Sequence, residues 1–316
     1  MNAKLFPPVI ADETVSRVDL GQVGVPDEWG SRRLYLGANG ASNWLNVVND
    51  PQYPLRGAAL QQLLALREAA IAGFTPRTLV SLGPGDGTQD AVLARSLNSD
   101  EDALNYIPVD ISRHLLTLAV RQVAPYAKIP AVLHGDFENA EVLLARVLRE
   151  FSKPPVLITM LGGTIGNLDQ GVTRFLSMIR RLLGDRDAFL VDVPLAGSAW
   201  TPEREPRLNV ANYSSAFRSF FLRSPTVEQP LEQAGSDGVP FEEQFELSLG
   251  TDDELGARTI RATNRRTGGV VLNRRYDWDL FSKWANQNGF VTRFAESTLR
   301  SREDAFGMGV ALLAPQ

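Results

Sequence analysis

The chain has 316 residues, of which 44% are hydrophobic and 22% charged, and its formal net charge is −5; this is an ordinary folded protein with room for one large domain or a domain plus an insertion, and its mild acidity argues against a nucleic-acid surface. With no cysteine and only two histidines, His114 and His134, disulfides, thiol nucleophiles, iron–sulfur chemistry and cysteine-ligated metals are excluded, and neither a histidine metal cluster nor a Ser-His-Asp triad is expected. No apolar run reaches transmembrane length and the opening MNAKLFPPVIADE lacks a signal-peptide core, so the expectation is a cytoplasmic protein without a membrane or metal partner, whose chemistry uses an organic cofactor.

Residues 1–55 read as an irregular arm, with Pro7-Pro8 and Pro26 followed by a stretch rich in glycine, asparagine and aromatics from Arg32 to Arg56. Arg56 to Ala72 repeats apolar residues at Leu60, Leu63, Leu64 and Leu66, the pattern of an amphipathic helix. The stretch TLVSLGPGDGTQ, Thr78 to Gln89, then joins a short apolar strand to glycines at Gly83, Gly85 and Gly87, with a helical pattern beyond them. Glycines at this spacing let the backbone turn tightly and let a ligand approach it closely. A second strand, Tyr106 to Asp110, ends in an acid placed to accept from ribose hydroxyls.

The alternation continues. Ser112 is placed to cap a helix whose buried face holds Leu115, Leu116 and Ala119. Pro130 to His134 is a third strand and Glu141 to Phe151 a helix. Pro155 to Leu161 is a buried strand leading into Gly162-Gly163-Thr164-Ile165-Gly166-Asn167, Val172 to Leu183 is a helix, and Ala188 to Val193 is a fifth strand. Five strands alternating with helices specify a doubly wound α/β sheet whose C-terminal strand ends share one edge. The pattern breaks at Pro194. Phe241 to Leu249, Arg258 to Thr263 and Gly269 to Tyr276 alternate apolar and polar residues and read as antiparallel strands. The division expected is an arm over 1–55, a core over 56–194, an inserted α+β lid over 195–275, and the end of the core over 276–316. The last segment would hold a helix from Asp279 to Asn288 and strands at Phe290 to Phe294 and Phe306 to Leu313.

A glycine turn alone does not choose between nicotinamide, flavin and S-adenosylmethionine (SAM). Asp90, an acid in the first turn of the following helix, suits a pyrophosphate poorly and a cationic sulfonium better. Gly135-Asp136-Phe137 supplies a carboxylate for an adenine amine and a ring for its face. A core ending in two strands after the insertion also fits a Rossmann-like SAM methyltransferase of seven strands.

YIPVDIS (Tyr106 to Ser112), HGDFEN (His134 to Asn139) and LGGTIGNL (Leu161 to Leu168) together resemble the histidine-specific, SAM-dependent methyltransferase family. YLGANGASNW, with DPQYP behind it, is similar to that family's N-terminal substrate-binding stretch. The resemblance implies a class I methyltransferase fold and the cofactor S-adenosyl-L-methionine. It implies that Gly83, Gly85, Gly87 and Gln89 approach the methionine and ribose of SAM, that Asp110 accepts from the ribose and Ile111 packs on the adenine, and that Asp136 and Phe137 hold the adenine edge and face. It implies further that Tyr35, Tyr53 and Asn167 bind the substrate, with Tyr35 near the reacting nitrogen and Asn167 on an amino group; these two are the candidate catalytic residues. Each has a plainer alternative: Asp136 or Asn167 as a helix cap, Tyr35 and Tyr53 as core aromatics.

Three departures stand out. Gln89 replaces a family lysine. The family's lid tyrosine with two following acids has no clear counterpart, Tyr213 being close but offset. The Glu-x-Ser that reads an imidazole falls within Val271 to Tyr276, VLNRRY, where no carboxylate stands. The implied activity is therefore N-methylation of a small amino-acid-like or amine metabolite other than histidine, in specialised biosynthesis, with Arg274 or Arg275 of the lid as candidates to pair with an anionic group on it. Methylation at oxygen or carbon, or non-catalytic SAM binding in a regulatory role, remain alternatives. A nicotinamide oxidoreductase is disfavoured because no Tyr-x-x-x-Lys or similar proton donor is present. The number of subunits is not readable.

Overall fold

Two sheets organise the chain. The computed structural model describes residues 30–50, 74–98, 103–169, 171–204, 216–217, 219–220, 241–252, 255–265, 270–299, 301 and 303–316. The helix expected over 56–72, Tyr53 and Tyr213 lie outside these residues.

The larger sheet has seven strands: β1 (Thr78–Leu82), β2 (Asn105–Asp110), β3 (Leu133–His134), β4 (Val156–Met160), β5 (Ala188–Ala196), and two late strands, Phe290–Ser297 and Phe306–Pro315. Between the first five run α2 (Thr88–Leu97), α3 (Arg113–Val123), α4 (Glu141–Phe151) and α5 (Val172–Leu182), after an N-terminal α1 (Gly37–Asn49). The smaller sheet is antiparallel, with α6 (Phe241–Gln244) opening into β6 (Phe245–Asp252), then β7 (Ala257–Asn264) and β8 (Val270–Arg275). Helix α7 (Trp278–Gln287) returns to the first sheet, so the two late strands are β9 and β10. The spatial order of the large sheet is β3-β2-β1-β4-β5-β10-β9, with β1 to β5 parallel and β10 antiparallel to both neighbours.

Every residue of β1, β2 and β4 is buried, as expected for parallel strands covered on both faces. Alternation along the strands sends Val80, Ile107 and Ile158 to one core with Leu144 of α4, Leu176 and Ile179 of α5 and Phe281 of α7. It sends Leu79, Tyr106 and Leu157 to the other, with Leu93 and Leu97 of α2 and Val123 of α3. Order reverses between β1 and β4: β2 and β3 lie to one side, β5 to the other. Ligands of doubly wound sheets bind at such a switch point.

Pro194 does not end the fifth strand. β5 runs through it to Ala196, with Pro194 opposite Met308 of β10. A proline breaks a ladder by removing a donor, but pairing with β4 has already stopped at Met160 and Val191, and the Pro194 carbonyl accepts from the Tyr276 N–H at 2.8 Å. This extension stitches the end of β8 to the large sheet. The first turn of the expected strand at Phe241 is helical, and the strand begins only at Phe245.

Candidate active site

The ends of β1, β2 and β4 surround a cleft of about 1110 Å³, its open mouth included. Its floor is the turn Gly83-Pro84-Gly85-Asp86, where Gly83 has φ +71° and Gly85 φ +57°. These angles lie in the left-handed region that glycine adopts without strain. A Cβ on Gly83 would come within 3.2 Å of Thr164 and 3.6 Å of Phe137, filling the space above the turn. Gly87 is different: a Cβ there would lie 2.5 Å from the Ala119 Cα, so this glycine allows α2 to pack against α3 and does not line the cleft.

Asp110 closes β2 at the cleft wall. Its side chain accepts from the Ser112 N–H at 2.7 Å, and burial pushes its carboxyl up to about 7 against the backbone N–H groups that favour the charged form. Ile111 is beside it, its carbonyl 2.8 Å from His134 Nε2; since a carbonyl only accepts, that nitrogen carries the proton. Burial lowers the His134 pKa, which keeps the ring neutral in this role. Ser112 caps α3 as expected, accepting from Leu115 N–H. Gln89, Ile111 and Phe137 all line the cleft.

Asp136 is not among the lining residues. Its carboxylate accepts from Arg32, from the Glu138 N–H at 3.0 Å and from Asn139 Nδ2 at 2.7 Å, the plainer capping role. Asp90 likewise faces away. It is 1% exposed, does not line the cleft and accepts from the Tyr106 hydroxyl at 2.6 Å, so it makes no direct contact that would discriminate a pyrophosphate.

Two residues the sequence did not single out shape this half of the site. Asp192 is 1% exposed; its two oxygens accept from the Gly162 and Gly163 N–H groups at 2.8 and 2.7 Å, and the Gln89 side chain also bonds to it. It thereby fixes the turn after β4 and the side chain that replaces the family lysine. An acid inside the apolar run AFLVDV was the available signal. Arg32 lines the cleft and pairs with Asp136 and, at 2.9 Å, with Asp169. Burial lowers its pKa, but Asp136, Asp169 and Glu138 outweigh that and raise it.

A second cavity of about 540 Å³ adjoins the first, and Ser31, Tyr35, Trp44 and Asn167 line both. Tyr35 stands edge-on to Trp44 and Phe220, with centroids 5.4 and 5.3 Å apart. Asn167 ends the 3-10 turn Thr164–Asn167, and its Oδ1 accepts from Asn273 Nδ2 at 2.6 Å. Asn273, on β8, was not anticipated. The neighbouring Arg274 and Arg275 line neither cavity: Arg274 donates to the Leu168 carbonyl, and Arg275 lies over the Phe306 ring.

A doubly wound seven-stranded sheet with one antiparallel strand, and a glycine turn and acid-ended strand facing one cleft, define a class I SAM-dependent methyltransferase. The sequence model of the family "Histidine-specific methyltransferase, SAM-dependent" matches residues 28–199, more than half of the chain, and the chain belongs to this family. A comparison with curated proteins gave no match. Among solved structures, magnesium protoporphyrin IX methyltransferase from Synechocystis with bound S-adenosylhomocysteine aligns at TM-score 0.47 and 14% identity, over 90% of this chain and 98% of its own. 1,6-Didemethyltoxoflavin-N1-methyltransferase from Burkholderia thailandensis aligns at 0.44 and 11%, over 88% of each. An S-adenosylmethionine-dependent methyltransferase from Clostridium acetobutylicum aligns at 0.44 and 11%, over 81% and 91%.

Among the described residues no group of three or more histidine, aspartate or glutamate side chains could hold a metal ion, and no helix is long and apolar enough to cross a membrane.

Proposed function

We propose that this methyltransferase N-methylates a small amine or amino-acid-like metabolite other than histidine. The observation that carries the reading is the pair of adjoining cavities with Tyr35 and Asn167 in the wall of both. The residues of the first cavity fit the cofactor: Gly83 and Gly85 leave its floor open, Gln89 can donate to a carboxylate, Asp110 can accept from a ribose diol, and Ile111 and Phe137 offer apolar faces to a base. When bound there, SAM supplies a methyl group already activated by its sulfonium. What remains for the chain is to align a lone pair and exclude water, tasks that can together supply several kcal/mol.

Asn167 serves alignment. Asn273 fixes its amide, and the oxygen retains a second lone pair for an amine N–H. Tyr35 is assigned the amine proton, taken directly or through water, an assignment supported by its presence in the wall of both cavities. Among the described residues no acid lines the second cavity, which supports an acceptor other than one read through an imidazole.

The test is a mass-spectrometric screen with methyl-labelled SAM against amines and amino acids. Label on an acceptor nitrogen, lost in Asn167→Ala, is expected. Label on oxygen or carbon would refute N-methylation, and SAM binding without label on any acceptor of the panel would refute the small-amine reading.

A further inference from the structure

The second cavity goes further than the position of the transferred methyl group. Its walls are the aromatic cluster Tyr35, Trp44 and Phe220 together with aliphatic side chains such as Leu247, Ile260 and Val271 from the small sheet. Among the described residues no charged side chain lines it. An ionic substituent entering here would be stripped of water without meeting a counter-charge.

The cavity has one polar irregularity. Asn273 is 7% exposed and lines it; its Nδ2 is used on Asn167, while its Oδ1 is buried without a hydrogen-bond partner among the described residues. Buried polar atoms in working structures are almost always partnered. An oxygen accepts, so the missing partner is a donor.

We infer that the acceptor is an amine whose body is aromatic or branched aliphatic, uncharged, and carries one N–H or O–H that meets Asn273 Oδ1. This rests on the proposed function, since it assigns the second cavity to the methyl acceptor. The two cavities divide the labour: Asn167 addresses the nitrogen, and the apolar wall with Asn273 selects the body attached to it.

Three amines test this directly: tyramine, with an aryl body and a hydroxyl; phenethylamine, lacking only the hydroxyl; and agmatine, with a cationic body. Each is titrated calorimetrically into protein saturated with S-adenosylhomocysteine, and each is offered with SAM for turnover. Tyramine is expected to bind about tenfold more tightly than phenethylamine, the effect of one hydrogen bond to an otherwise unpartnered buried oxygen. Agmatine is expected to bind at least about a hundredfold more weakly than either. Asn273→Leu is expected to erase the tyramine–phenethylamine difference and Val271→Glu to weaken both aryl amines at least about tenfold, while S-adenosylhomocysteine affinity reports that each variant is folded. Preference for agmatine, failure of all three to bind, or an unchanged tyramine–phenethylamine ratio in Asn273→Leu would overturn the inference. Binding in the expected order without methyl transfer would uphold the pocket chemistry and sink the catalytic reading alone.

Discussion

With Asp110 assigned to the cofactor's ribose, its carboxyl is expected to make cofactor affinity depend on pH near neutrality. It is 6% exposed at the end of β2, and burial holds it at about 7 even though Ser112, Ile111 and Gly85 offer N–H groups to its charged form. Ribose hydroxyls need acceptors, and only the ionised carboxylate offers both oxygens without a competing proton. With that pKa, roughly 9% of the ligand-free protein is ionised at pH 6 and roughly 91% at pH 8. Affinity for S-adenosylhomocysteine should therefore rise about tenfold across the interval, about 1.4 kcal/mol, with proton release on binding. Asp110→Asn removes the titration and turns an amide N–H toward one hydroxyl. It should lose about 1.5–3 kcal/mol at pH 8, roughly 10- to 150-fold, and show no pH step. Calorimetric titrations at pH 6, 7 and 8 in buffers of different ionisation enthalpy measure both quantities. A flat profile for the wild type, or an equal slope in Asp110→Asn, would refute the reasoning.

Other perturbations separate support from contact. Burial lifts Asp90 from 3.8 to about 6 although Tyr106 and Ser81 hydrogen-bond to it. The folded value lies above the unfolded one, so this group's contribution is intact below about pH 4 and is lost as pH rises through about 6. Asp90→Asn should gain on the wild type by about 1–3 kcal/mol between pH 5 and pH 8; a pH-independent difference in thermal melts would contradict this. Gly87→Ala should cost about 2–5 kcal/mol of stability in urea titrations, from positive φ and the Ala119 clash. Gly85→Ala, whose Cβ would meet only Trp44, at 3.6 Å, among the described residues, should cost about 1–2 kcal/mol of stability, and S-adenosylhomocysteine affinity should fall at least about tenfold as the Cβ crowds the ligand. Equal effects of the two variants on binding would undo the distinction between a packing glycine and a cradle glycine. Arg32→Ala leaves two partly buried carboxylates, Asp136 and Asp169, without their cation; a loss of about 1–3 kcal/mol in denaturant stability is expected, and no loss would show that the pairing is incidental.

The parallel core was legible because buried strands ending in glycine, aspartate or asparagine are local patterns, and Ser112 announced its helix for the same reason. Pro194 misled because tolerance of a proline depends on where the neighbouring strand stops, which no window around it contains. Asn273 was hidden for a related reason: its value comes from a partner at Asn167, 106 positions away. Asp90 and Asp136 show the converse. Each acid was visible in the motif, but its direction was set by Tyr106 in one case and Arg32 in the other.

The strap at residues 31–35 closes on two anchors that leave the ribosome at different times. Ser31 N–H donates to Asp169 Oδ1 at 2.7 Å, while its hydroxyl bonds Leu272, 241 positions away, both as donor and acceptor. At ~5–20 residues per second, the ribosome needs roughly 5–21 s to supply that second anchor after Asp169 has emerged. Strands β1 to β5, among them the three whose ends surround the larger cleft, have all been made by residue 196. The strap that leads into Tyr35 gains its Leu272 anchor only once β8 has been made. A nascent chain halted before β8 would thus have every strand end around the larger cleft and lack Leu272, Asn273 and Val271 from the wall of the smaller cavity.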